Sequence, residues 1–267
     1  MHDGAIMPSE VVHLVDTGET YPVVRLTGVL DADGASGVRS ALLAVLAEQP
    51  EAVIVDVSDL RMADPAAGGV LREVAQDNAD WPAAHIMLCA RRDANLWHST
   101  GLPVWPDLGE ALAELGAPET DQRLRLALDP LMGTARRARE FVTEACARWD
   151  CPGLAGAGCI VVTEMVNNVI VHARTKMMVL LGRRGDTMSV AVRDHSATAP
   201  QYHGGPVSTN SYGGRGLLLI DSVANRWGHL GLTDGKVVWA VLRDDNESPE
   251  PAHRRISSAG MADPARG

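Results

Sequence analysis

Glu164, Asn168 and His172 recur every fourth residue in the run ValValThrGluMetValAsnAsnValIleValHisAla. On a helix such positions form one slowly drifting stripe, so a carboxylate, an amide and an imidazole face the same neighbour. A carboxylate can orient or deprotonate an attacking hydroxyl, and an amide oxygen suits a Mg2+ ion that bridges phosphates. Further on, Asp194 closes the strand-like ValAlaValArgAsp, and GlyGlyArgGly at 213–216 opens an apolar helix. A buried carboxylate there could accept a hydrogen bond from an exocyclic amine such as that of adenine. Backbone amides in the glycine turn could point at an anion near the positive end of the helix. Taken singly, each residue also has a plain role: a solvated helix face for Glu164 and Asn168, packing for His172, a turn or cap for Asp194, a tight helix start for the glycines. Their order and spacing together read as a nucleotide site.

The element that positions the stripe carries Cys159, Val162, Met165, Val166, Val169 and Ile170 on its apolar side, which predicts a helix over 159–173. Around it the pattern predicts a strand at 123–128, a long helix at 131–149, strands at 177–182 and 187–193 joined by an ArgGlyAsp turn, a polar loop at 195–212, a helix at 214–224, and strands at 226–230 and 236–242. The amino-terminal half alternates differently. Strands at 11–15 and 21–26 form a hairpin, and helix 37–48, strand 52–57, helix 65–76 opened by Asp64 and Pro65, strand 85–89 and helix 107–115 follow in βα order. The turn-forming GlyAlaProGluThrAsp at 116–121 separates the halves. The fold class is therefore α/β in two domains, over 10–116 and 122–243, with a linker at 117–121 and a disordered tail at 244–267.

Composition narrows the function. A formal charge of −10 over 267 residues excludes the dense basic surface that direct nucleic-acid binding needs. Cys89, Cys146, Cys151 and Cys159 form no CxxC pair and lack histidines at zinc spacing, so they read as reduced, mostly buried thiols. No signal peptide is visible, and no apolar run approaches the roughly 20 residues that span a bilayer, so a soluble cytoplasmic protein is expected. The glycine turn is not a Rossmann fingerprint, because its third glycine and the strand before it are missing, and no Walker GxxxxGK[ST] string exists.

The series Glu164, Asn168, His172, then Asp194, GlyGlyArgGlyLeu, TrpGlyHis at 227–229 and LysValValTrp at 236–239 resembles the GHKL (Bergerat-fold) ATPase domain. Within it the series is similar to the bacterial anti-sigma-factor serine kinases. That resemblance implies an α/β sandwich that binds ATP with Mg2+. By it, Asn168 would hold the metal, Glu164 would activate a protein serine, and Asp194 would recognise adenine. His172, Gly213, Gly214, Arg215 and Gly216 would line the nucleotide, the glycines around its phosphates. The pattern departs from the family twice: the AspxGlyxGly motif is AspHisSerAlaThr here, and the threonine that often follows the last-strand lysine is Val237. A sensor histidine kinase fits less well, since LeuTrpHisSerThrGly around His98 is not a phosphoacceptor helix.

Residues 10–116 resemble the STAS domain of anti-sigma-factor antagonists, where an Asp at a helix start precedes a phosphorylatable serine. This chain reads Asp64, Pro65, Ala66, Ala67, Gly68, with no hydroxyl to accept a phosphoryl group. The two resemblances imply a signalling regulator that acts on a separate STAS-type antagonist, a sigma factor or both, and they leave a homodimer open. The alternative is a non-catalytic ATP-binding or protein-interaction switch with a locked STAS module.

Overall fold

The computed structural model describes residues 10–64, 66–198, 215–244 and 257–259. Two compact units divide between Glu119 and Thr120.

The first unit runs β1 (Val12–Asp16), β2 (Val23–Leu30), α1 (Ala32–Leu46), β3 (Ala52–Met62), α2 (Gly69–Asn78), β4 (His85–Cys89), α3 (Ala94–His98), β5 (Val104–Trp105) and α4 (Leu108–Leu115). Its sheet has the order β1-β2-β3-β4-β5, antiparallel at β1–β2 and parallel from β2 to β4. Val53, Ile54 and Val55 in β3 are all buried, as a central parallel strand covered on both faces requires. On one face α4 lays Leu108, Leu112 and Leu115 over Val23, Ile54, Met87 and Cys89.

Several boundaries move from their expected places. Helix α1 starts five residues early, because the Asp31 carboxylate accepts from Gly34 N at 2.8 Å and caps an additional first turn. Helix α2 starts late, at Gly69. Asp64 is not its cap but closes a turn of its own, accepting from Ala66 N at 2.9 Å; Pro65 lies outside the described residues. The short α3 and β5 carried too little periodicity to be seen in advance.

The second unit comprises β6 (Arg123–Leu128), α5 (Thr134–Arg148), α6 (Ala155–Asn168), β7 (Met177–Arg184), β8 (Thr187–Asp194), α7 (Arg215–Val223), β9 (Arg226–Leu232), β10 (Gly235–Arg243) and β11 (Ser257–Ala259). The sheet order is β11-β9-β10-β8-β7-β6, antiparallel except where β11 joins β9. That last strand falls inside the segment expected to be disordered. Helices α5, α6 and α7 cover one face, where Val142, Val161, Val162, Val166 and Ile220 meet Val179, Leu181, Val190, Val192 and Ala240. Close approach of α5, α6 and the sheet needs Gly158, since a Cβ there would stand 2.8 Å from both Val142 Cγ1 and Met188 Cε.

Helix α6 begins four residues before its expected start and runs on into a wider turn at Val169–Ala173, where Arg174 N donates to Val169 O at 2.7 Å across five residues. The stretch Pro152–Ala173 thereby reaches 22 residues and contains a window of mean hydropathy 1.7, long and apolar enough to cross a membrane, against expectation. Its Val161, Val162, Met165 and Val166 are instead core residues of this unit. All four cysteines are free; Cys89, Cys146 and Cys151 are buried and Cys159 is half-buried.

Candidate functional site

The strand alternation of the second unit decides where its polar residues go. Val238, Ala240 and Leu242 of β10 face the helices, so Lys236 is next in the same row. In β8, Val190 and Val192 face the helices, and Asp194 follows them. The register pairs Met177 with Asp194, Asp194 with Lys236, and Lys236 with Gly231, so one row crosses four strands at the end of the sheet.

Within that row Lys236 Nζ donates to Asp194 Oδ1 at 3.0 Å, and the two side chains are only 10% and 2% exposed. The same oxygen accepts from Ser196 N at 2.7 Å, and Lys236 Nζ also donates to Ser196 O at 3.2 Å. A carboxylate, an ammonium and the backbone N–H and C=O of the single residue Ser196 thus close a ring at the exit of β8. Two charges buried this far persist only when paired and hydrogen-bonded. Gly235 supports the ring from β10: its φ is +155°, and a Cβ there would collide with the carbonyl oxygen of Asp194.

The helix side meets the same end of the sheet. His195 N donates to Thr175 Oγ1 at 3.1 Å, tying the residue after Asp194 to the segment just past the wide turn of α6. Glu164 is half-buried and lies against the first turn of α7: a Cβ on Gly216 would stand 2.7 Å from Glu164 Oε2. Glycine is what permits this approach, and a carboxylate near a helix start gains from the unpaired amides there. Asn168, the last residue of α6, is half-buried one turn beyond Glu164.

Of the residues read from sequence, the structure brings Glu164 and Gly216 together, keeps Asn168 on the same helix, and buries Asp194. It draws His172 away, because the wide turn carries this exposed residue out of line with Glu164 and Asn168. Gly213, Gly214, the Arg215 side chain and loop residues 199–212 lie outside the described residues. Two participants were missed. Lys236 appeared only as part of a strand motif, and its signal, a lysine within an otherwise apolar strand, was there to be read. His229 pairs with Val238 across β9–β10, and burial first, then the Lys236 ammonium, pushes its imidazole below the usual range.

The ligand an ATPase-type domain would hold has a base, phosphates and a charge to be met. A buried carboxylate with an anchored orientation fits a base amine, and a glycine at a helix start fits phosphate. Among the described residues no cluster of three His, Cys, Asp or Glu side chains could cage a metal.

Comparisons with known proteins agree on both halves. A family model described as a histidine kinase-like ATPase domain matches residues 129–242, and one described as Mlab, STAS domain matches 13–80. Among solved structures, an anti-sigma factor antagonist from Mycobacterium paratuberculosis is 24% identical at a TM-score of 0.35, covering 40% of this chain and 95% of its own. The anti-sigma factor antagonist SpoIIAA in its unphosphorylated form is 15% identical at 0.30, covering 39% of this chain and 96% of its own. Comparison with curated proteins yields no match. The ATPase-type match implies a nucleotide ligand for the second half, and the chain joins an amino-terminal STAS domain to a carboxy-terminal histidine kinase-like ATPase domain.

Proposed function

We propose that the second domain binds ATP with Mg2+ and transfers a phosphoryl group to a serine of a separate STAS-type anti-sigma-factor antagonist, as part of cytoplasmic transcription control that also engages a sigma factor. The observation that carries this reading is the contact of Glu164 with Gly216, at the end of the sheet where Asp194 is anchored. Bound ATP would supply the transferable phosphoryl group, with Mg2+ offsetting its charge. Asp194 binds the base amine, Asn168 provides the protein's oxygen for the metal, and the first turn of α7 receives phosphate oxygens. Glu164 takes the proton of the attacking serine hydroxyl. Phosphoryl transfer asks little covalent work of a protein, so positioning and charge account for catalysis. The test is transfer from labelled ATP to a serine-bearing STAS protein of the same organism. Glu164→Ala should keep ATP binding and abolish transfer; undiminished transfer removes Glu164 from the role.

One observation favours a second reading. Residues 64–68 contain no hydroxyl, so the protein's own STAS domain has no acceptor at the position the family resemblance implies. A non-catalytic switch, in which nucleotide only shapes a protein interface around a locked STAS module, is consistent with this. Absence of transfer to every serine-bearing STAS partner, with ATP binding intact, would establish that reading over the first.

A further inference from the structure

We infer that Lys236 is a positioning residue that selects the base of the bound nucleotide. The inference rests on the reading of Asp194 as the group that meets the base, and it adds what makes Asp194 able to do so. Three features carry it. Lys236 is itself buried, and its ammonium spends hydrogen bonds on both Asp194 Oδ1 and Ser196 O. Asp194 Oδ1 is therefore doubly engaged, by Lys236 and by Ser196 N, while Asp194 Oδ2 has no hydrogen bond among the described residues. Lastly, Gly235 lets β10 approach the backbone of Asp194 closely, which keeps Lys236 and Asp194 in register.

The result is a carboxylate whose rotation is fixed and whose Oδ2, unengaged among the described residues, is an acceptor. An acceptor held in this way binds a donor, the 6-amino group of adenine, and repels the 6-oxo group of hypoxanthine or guanine. Sites built around a specific hydrogen bond discriminate strongly, since the wrong ligand leaves a buried group unpaired. Without the ammonium, a carboxylate in this position either turns toward water or takes a proton. In the first case the acceptor leaves the site and in the second it gains a donor beside it, so the preference for an amine is lost. His229, the other titratable group beside Lys236, is held neutral by burial and by that same ammonium, and so does not replace it.

The experiment is calorimetric titration of the full chain with Mg-ATP and with Mg-ITP, whose base carries oxygen where adenine carries the amine. The wild type should prefer ATP. Lys236→Met should weaken ATP by at least about tenfold while changing ITP little, which collapses the ratio, and Lys236→Arg should retain most of it. Should Lys236→Met fail to fold, Lys236→Gln, which keeps one hydrogen bond, should lower the ratio at least about threefold. An unchanged ATP-to-ITP ratio in a folded Met or Gln variant overturns the role of Lys236 and leaves the ATP reading standing. Equal loss for both nucleotides does the same, because it marks a merely structural lysine. A wild type that binds both without preference overturns the base-selecting roles of Asp194 and Lys236, and one that binds neither overturns the ATP reading as well.

Discussion

Lys236 and Asp194 stand opposite each other in β10 and β8, 42 residues apart in sequence, with their charged atoms 3.0 Å apart and almost no exposure to water. Removing one partner of such a pair leaves the other charged and buried. We expect Lys236→Ala or Asp194→Ala to destabilise the ATPase-type domain by about 3–5 kcal/mol, measured by urea unfolding. The double variant should cost less than the two single losses added together, as coupled neighbours do.

Gly235 should tolerate no side chain. Its φ of +155° is hostile to other residues, and a Cβ would strike the Asp194 carbonyl, which is backbone and has nowhere to go. Gly235→Ala is expected to cost about 2 kcal/mol or more and to lower soluble yield. Expression and thermal unfolding beside the wild type measure both.

Gly216 presents the opposite case. The atom a Cβ would meet is the far end of the flexible Glu164 side chain, which can swing aside. Gly216→Ala should therefore change stability by no more than about 1 kcal/mol, since Ala favours a helix, while phosphoryl transfer falls with Glu164 displaced. Undiminished transfer in a folded Gly216→Ala variant would show that Glu164 does not depend on this close approach.

His229 makes stability depend on pH. Its imidazole is pushed below the ordinary range by burial and by Lys236, so as pH falls the unfolded chain takes up this proton before the folded one does. The unfolded state binding more protons means stability rises with pH, and the contribution of His229 is lost as pH drops through the ordinary imidazole value of about 6.5. Urea midpoints at pH 8 and pH 5.5 should differ more for the wild type than for His229→Gln.

The cysteines should label in a set order. Burial raises the Cys89 thiol to about 11 and the Cys146 thiol to about 12, so neither presents much thiolate at neutral pH, whereas Cys159 is half-buried. Alkylation of native protein at pH 8 should modify Cys159 first and reach Cys89 and Cys146 only on unfolding. Mass spectrometry of peptides from timed samples gives the order.

Much of the fold was legible because its signals are local. The alternation in 123–128 and 187–194 and the ArgGlyAsp turn between two strands each lie within one element, and β6, β7 and β8 formed close to where they were read. Asp31 and Asp64 show the limit. Both are carboxylates before a run of small residues, and only the geometry of the chain made one a helix cap and the other a turn. In the site, the four-residue spacing correctly put Glu164 and Asn168 on one helix. The same spacing assumed that the helix continues unchanged, and the wide turn at Val169–Ala173 moved His172 off the line.

The sequence by itself determined that the chain has two α/β halves, that residues 64–68 cannot accept a phosphoryl group, and that a carboxylate and an amide share one helix face. Those properties follow from residue chemistry and short-range periodicity. Tertiary structure alone decided that Lys236 neutralises and orients Asp194, and that Glu164 closes on Gly216. Cross-strand register and helix packing join residues far apart in the chain, and no periodicity within a single element encodes which pair will meet where water is excluded.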